Sequence, residues 1–267
     1  ANPTIGETFF VTGLGILGQM TAQMLRANGC RVIGFDPDNV RVALAKSLGM
    51  GFGISYDEDA ITKVMQLTDG HGADGVIITA ATPSDEVISQ AFQSCRKKGR
   101  VVLVGDVGLN LKRSDFYIKE IDFLISTSYG PGRYEPGYEK KGLDYPIGYV
   151  RWTENRNMQE YLRLLSEGLI DIKPLIQKEY GLDEAPSAYA ELKNEKEKPL
   201  MVLLKYSDKE TSSKMISRVE VTPQWTRKEG LLNIAIIGGG SFAKEMHLPN
   251  LKRLKDQYKI YSVMSLT

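Results

Sequence analysis

The chain has 267 residues, of which 42% are hydrophobic and 25% charged, the balance of a folded globular protein rather than a disordered one. Its 34 Lys and Arg against 33 Asp and Glu give a net charge of +1, so no general pull toward nucleic acid or an anionic membrane follows. No run approaches the roughly 20 apolar residues of a membrane span, and the start lacks the basic and then apolar pattern of a secretion signal.

Two cysteines, Cys30 and Cys95, make no disulfide framework and read as buried thiols of a reducing, cytoplasmic compartment. The chain opens without Met, and it is expected to be a piece of something longer or a processed product.

Through residue 130, short apolar runs alternate with helical patterns. Strands are expected at 9–11, 31–35, 52–55, 75–79, 100–104 and 120–127, and helices at 17–28, 39–48, 57–67 and 84–95. Met20, Met24 and Leu25 stand at helical spacing, Gly29 ends that helix, and Ser84 with Asp85 opens the fourth. Such apolar strands are buried on both faces. Six of them with helices between give an α/β fold, a doubly wound parallel sheet of the Rossmann kind.

Residues 129–149 are rich in Gly and Pro and hold five of the 13 tyrosines, so a long ordered loop is expected there. A helix at 152–168 follows, then strands at 171–180 and 200–206 around a helix at 184–194. Residues 207–230 are polar without an apolar period and read as a linker. After them a strand at 231–237, the turn Gly238-Gly239-Gly240-Ser241, a helix at 242–254 and a strand at 258–264 restart the pattern. The expected domains are a dinucleotide-binding domain at 1–150, a helix and return segment at 151–206, the linker at 207–230, and a truncated second βαβ start at 231–267.

Gly13-Leu14-Gly15-Ile16-Leu17-Gly18 fits G-x-G-x-x-G between an apolar strand and a helix, and Asp36 lies 18 residues beyond Gly18, at the end of the next strand. Gly13 allows the tight turn, Gly15 lets a pyrophosphate approach the backbone, and Gly18 lets the helix pack on the sheet. The N–H groups of Ile16, Leu17 and Gly18 and the helix dipole favour phosphate charge. Asp36 can accept from ribose hydroxyls and repels a 2′-phosphate, which favours NAD over NADP, whereas Arg41 is the nearby residue able to accommodate that phosphate. S-adenosylmethionine and FAD bind similar folds, but Thr12 stands where many methyltransferases carry an acidic residue.

The ordered stretches G-E-T-F-F-V-T-G-L-G-I-L-G-Q, G-C-R-V-I-G-F-D, A-L-A-K-S-L-G-M, G-H-G-A-D-G-V-I-I-T-A-A and G-R-V-V-L-V-G resemble the coenzyme domain of the medium-chain, zinc-containing alcohol dehydrogenase superfamily. The resemblance covers about residues 6–206. It implies that the ends of the fourth, fifth and sixth strands line the nicotinamide half of the cofactor, here Ala80-Ala81, Val104-Gly105-Asp106 and about residues 126–128. It also implies a return segment, a catalytic domain that would precede Ala1, and zinc held in that domain if at all.

Leu109 and Leu111 alternate with Asn110 and Lys112, a short strand signal near 108–113, and the resemblance implies that a strand at this place pairs with its two-fold mate in a homodimer. The second turn, with Gly238, Gly240 and Ala243 in G-x-G-x-x-A, resembles the start of the glucose–fructose oxidoreductase and inositol dehydrogenase family.

Cys30, Cys95, His71 and His247 are scattered, so no metal site is expected within this chain. His71 reads as a surface-loop residue and His247 as a packing residue. Arg133 in the tyrosine-rich loop is an anion-binding candidate. No catalytic residue is assigned.

The expected function is the NAD(H)-binding part of an alcohol, polyol or sugar-type dehydrogenase, inactive by itself, whose parent moves hydride between nicotinamide and a small alcohol or carbonyl. The alternative is a non-catalytic NAD-binding or oligomerisation module. No nucleic-acid or membrane partner is expected.

Overall fold

The computed structural model describes residues 1–193, 198–206 and 230–264. The expected linker at 207–230 lies outside the described residues except for Gly230. The chain divides into two compact units, Ala1–Asp208 and Lys209–Thr267.

The first unit begins with β1 (Thr8–Thr12), α1 (Ile16–Ala27), β2 (Arg31–Phe35), α2 (Asn39–Ser47), β3 (Phe52–Ile54), α3 (Ala60–Leu67) and β4 (Ala73–Ile78). It continues with β5 (Ala81–Thr82), α4 (Glu86–Ser94), β6 (Cys95–Leu103), β7 (Asp106–Val107), α5 (Arg113–Phe116) and β8 (Asp122–Ile125). Six strands form one parallel sheet in the order β3-β2-β1-β4-β6-β8, and β5 pairs separately with β7. This is the expected doubly wound α/β fold. The strand order reverses between β1 and β4, and the crevice beyond the carboxyl ends of those two strands is where such sheets take ligands.

Side chains alternate across a strand, so each apolar strand feeds two cores. Phe10, Ile33, Ile54, Val76, Ile78 and Val101 bury on the face covered by α3 and α4. Phe9, Val11, Val32, Ile77 and Val102 bury on the other face with Ala22 and Leu25 of α1 and Val42 and Ala45 of α2. β1 is buried throughout, which ties down the strand that leads into the glycine turn.

Several boundaries differ from the sequence expectation. Cys95 starts β6 rather than ending the fourth helix, because it pairs with Ala73 of β4 before the register shifts. The Lys119 ammonium donates to the carbonyls of Phe92, Gln93 and Cys95, satisfying the end of α4 where the chain turns into β6. Both cysteines are buried, as expected, and burial pushes the Cys95 thiol up to about 11.

The tyrosine-rich segment is ordered, but it contains a short helix, α6 (Pro136–Lys141), with Pro at its start and a left-handed Gly142 at its end. The remainder of the unit is α7 (Glu154–Ser166), β9 (Ile176–Gly181), α8 (Ala185–Leu192) and β10 (Met201–Lys205), with β9 and β10 parallel. Gln23 of α1 exchanges two hydrogen bonds with the Asp171 backbone, at 2.7 and 3.1 Å, joining this part to the Rossmann sheet.

Residues 108–113 form no strand within one chain. The Asn110 N–H instead donates to Asp85 at 2.9 Å, and Arg113 already begins α5. Among the described residues the second unit contains β11 (Leu232–Ile237), a π-helical turn at Ala243–His247, α9 (Leu248–Arg253) and β12 (Tyr258–Met264), with the two strands parallel. The single helix expected there thus opens with wider turns.

Candidate functional site

Four segment ends meet at the switch point. The glycine turn leaves β1, Asp36 follows β2, Ala80 follows β4 and Gly105 follows β6. Gly13 has φ +90°, and a Cβ there would lie 2.6 Å from the Ala80 nitrogen, so only glycine lets these two chain ends touch. A Cβ at Gly18 would overlap the Gly13 carbonyl oxygen, and one at Gly105 the Ala80 carbonyl oxygen. The Thr79 hydroxyl donates to the Gly13 carbonyl from the β4 side.

Gly15 differs from the other glycines of the turn. A Cβ there would meet nothing within 4 Å, so the space above its backbone is open. It is the N-cap of α1, which has no side-chain cap and no acidic residue in its first turn. By contrast, α2 and α3 are capped by Asp38 and Asp59, at 2.9 and 2.8 Å from the N–H groups of Val40 and Thr62. The N–H groups of Ile16, Leu17 and Gly18 stand in the first turn of α1, where no intrahelical acceptor exists. Open space beside unclaimed donors and a positive helix end fits a pyrophosphate.

Asp36 is buried, 4% exposed. One carboxylate oxygen accepts from the Leu14 N–H at 2.7 Å and the other from the Asp38 N–H at 2.9 Å. Each oxygen has a second lone pair, so capacity for a ribose hydroxyl remains. The sequence missed this dual use: the residue expected to read the ribose also holds the turn. Arg41 lies 3.8 Å from Asp36 and 3.5 Å from Asp38.

Ala81, Thr82, Pro83, Asp106, Val107 and Gly108 line an open cleft of about 480 Å³ immediately past Ala80 and Gly105. Val104 is partly exposed, and its N–H donates to the Ile78 carbonyl at 2.9 Å. The structure therefore brings Gly13, Gly15, Ile16, Leu17, Gly18, Asp36, Arg41, Ala80, Val104 and Gly105 to the same end of the sheet.

Other candidates lie elsewhere. Arg133 is paired with Glu139 and lies near the rings of Tyr129 and Tyr134, so its charge is already met. The tyrosine-rich segment hydrogen-bonds to the start of α7, where Asn155 N–H donates to the Tyr138 hydroxyl at 2.9 Å. His71 is exposed, and His247 packs edge-on against Phe242. Among the described residues no group of three or more His, Cys, Asp and Glu could hold a metal ion. The described residues do not fit a zinc site.

Two polar residues escaped sequence reasoning, the half-buried Thr79 and the buried Gln19. Gln19 and Gln23 lie on the buried stripe of α1, where a helix normally places apolar side chains, and that mismatch was the available signal.

The sheet order, the crevice and the glycine turn define a Rossmann-like nucleotide-binding fold. Residues 17–140 match a protein-family model described as zinc-binding dehydrogenase. Over 198 residues the chain is 30% identical to sorbitol dehydrogenase of Halalkalibacterium halodurans, covering 71% of this chain and 49% of that protein. It is 29% identical over 209 residues to L-threonine 3-dehydrogenase of Pyrococcus furiosus, with 77% and 53% covered.

Among solved structures it resembles alcohol dehydrogenase TADH from Thermus sp. ATN1, with TM-score 0.57, 24% identity, and 75% and 51% of the two chains covered. It also resembles an oxidoreductase/dehydrogenase of unknown specificity from Escherichia coli, with TM-score 0.62, 23% identity, and 77% and 52% covered. The structural likenesses establish the fold. The chain spans about half the length of the curated relatives it matches. The Rossmann domain is accordingly similar to that of the zinc-binding, alcohol dehydrogenase-like proteins.

Proposed function

We propose that the Gly13–Gly18 turn binds NAD(H), and that this chain is the coenzyme-holding part of an alcohol-, polyol- or sugar-type dehydrogenase. The observation that carries this reading is the open backbone above Gly15, at an uncapped helix end beside Asp36. The N–H groups of Ile16, Leu17 and Gly18 would hold the pyrophosphate, and Asp36 the adenosine ribose. Ala80, Val104 and Gly105 would border the nicotinamide half at the cleft past β4 and β6.

The bound nicotinamide would supply hydride exchange with an alcohol or carbonyl carbon. The residues here supply binding and orientation, and no proton-transfer residue is assigned to this chain. The names of the relatives, sorbitol and L-threonine 3-dehydrogenase, support a small hydroxyl-bearing substrate for the whole protein.

A homodimer through residues 108–113 belongs to the same reading. Leu109 and Leu111 are exposed, and their backbone has no ladder partner within one chain. The Gly238–Ala243 turn is read as the opening of a second unit, of glucose–fructose oxidoreductase type, on the order strand, glycine turn, helix, parallel strand.

Fluorescence titration with NADH and NADPH tests the central point. Saturable NADH binding tighter than NADPH is expected. Binding of neither would refute the site, and tighter NADPH binding would refute the role given to Asp36.

A further inference from the structure

We propose that Gln19 is a positioning residue that sets nucleotide selectivity at the glycine turn, by keeping Arg41 against Asp36; this rests on the reading that the turn binds a dinucleotide. Four residues close a ring. The Leu14 N–H donates to Asp36 at 2.7 Å, and the Leu14 carbonyl accepts from Gln19 Nε2 at 3.1 Å. The same Gln19 nitrogen donates to the Arg41 carbonyl at 2.9 Å. The Arg41 guanidinium returns to Asp36 at 3.8 Å. One side-chain amide thus ties the glycine turn on β1–α1 to the first turn of α2.

Gln19 is 1% exposed, and its Oε1 has no hydrogen-bond partner among the described residues. A buried acceptor without a partner is costly, and an apolar side chain of the same shape would avoid that cost. The position is therefore not optimised for stability alone, which is the pattern of a functional compromise.

The ring bears directly on selectivity. A 2′-phosphate calls for an unpaired guanidinium, which can meet it with paired, charge-assisted bonds. Arg41 is instead neutralised by Asp36 and by Asp38. Its side chain is 31% exposed, and its backbone is fixed within α2, where the Arg41 N–H donates to the Asp38 carbonyl at 3.0 Å. Gln19 ties this turn of α2 to the Leu14 carbonyl and so sets how far Arg41 stands from Asp36. Without it the guanidinium is free to swing off Asp36 and meet a phosphate, and NADPH gains relative to NADH.

The test is the ratio of NADH to NADPH affinities, measured by calorimetric titration of the full chain carrying Gln19→Met, Gln19→Asn, Arg41→Ala, or Gln19→Met with Arg41→Ala. A purely structural role for Gln19 would weaken both nucleotides together and leave the ratio fixed. The expected result for Gln19→Met is a shift of about tenfold toward NADPH, the size of one charge-assisted contact. Gln19→Asn keeps the amide but shortens its reach, so a smaller shift in the same direction is expected; it carries the test if circular dichroism shows Gln19→Met unfolded. In the Arg41→Ala background, Gln19→Met should leave the ratio unchanged, because the residue it positions is gone.

An unchanged ratio in both Gln19 variants, or a full shift that persists without Arg41, would overturn the proposal. A wild-type chain that binds neither nucleotide would instead overturn the dinucleotide reading, and this inference with it.

Discussion

The chain contains two glycine turns of nearly the same pattern, and their surroundings differ sharply. At Gly13–Gly18 the glycines are forced by close approach: added Cβ atoms at Gly13 and Gly18 would strike Ala80 and the Gly13 carbonyl. At Gly238 and Gly240 an added Cβ would meet nothing within 4 Å. The first turn sits in a six-stranded sheet with a core on each face, whereas the second joins two parallel strands whose Ile237 and Met264 are largely exposed. The lesson is that a glycine signature states what the backbone permits, while the packing around it decides what the backbone needs. In the first turn only Gly15 is free of that structural demand, and there the free space fits a ligand.

Substitutions separate the two turns most strongly at the close approaches. Gly18→Ala is expected to cost about 3 kcal/mol or more, because the clash is with main chain that cannot move aside. A denaturation midpoint close to wild type would show that the helix can back away from the sheet. Asp36→Ala comes next. It strips acceptors from the N–H groups of Leu14 and Asp38, at an expected cost of about 2 kcal/mol. The same change should relax the NADH preference, so melting and titration are read on one variant.

Acid affects the other end of the first unit. The two hydrogen bonds from the Arg100 guanidinium hold the Glu7 carboxyl down to about 2. The unfolded chain keeps its glutamates near 4.3 (about the free value). Because the folded pKa is the lower one, the stabilisation is complete above that unfolded value and is lost as pH falls toward 2. The melting-temperature gap between wild type and Glu7→Gln should therefore close across that window. A gap that stays constant would contradict the pairing. Among the described residues every ion pair lies in the first unit, so no matching acid response is expected of the second turn. The smallest effect belongs to Gly240→Ala, expected within about 0.5 kcal/mol of wild type, and a larger loss would mean that the second turn is packed after all.

The first β–α–β segment was legible because each of its marks has a backbone cause. Gly13, Gly15 and Gly18 answer to positive φ, open space and close packing, and Asp36 ends the next strand at the expected distance. The partners of Thr79 and Gln19 were not legible, because they are main-chain carbonyls that no spacing rule encodes, although the glutamines on the apolar stripe of α1 marked the place. The helix α6 lay hidden in a Gly- and Tyr-rich stretch, although Pro136 at its start and Gly142 past its end were a readable pair. The start of β6 was misread because Lys97, Lys98 and Gly99 look like a turn, whereas Lys98 takes a left-handed φ of 56° inside the strand. An edge strand at 108–113 was expected from alternation and from the family resemblance, with a second copy as its ladder partner, and within one chain these residues form no strand.

Calorimetric titration of NADH into wild type, Gly15→Val and Gly240→Val tests the central claim most directly. A Cβ at Gly15 would meet no protein atom within 4 Å, so folding should survive while the pyrophosphate loses its approach. The expected result is one site per chain in wild type and in Gly240→Val, with affinity at least about 100-fold weaker in a Gly15→Val chain that melts like wild type. Undiminished binding by Gly15→Val, or binding lost only in Gly240→Val, would contradict the assignment of the nucleotide to the first turn.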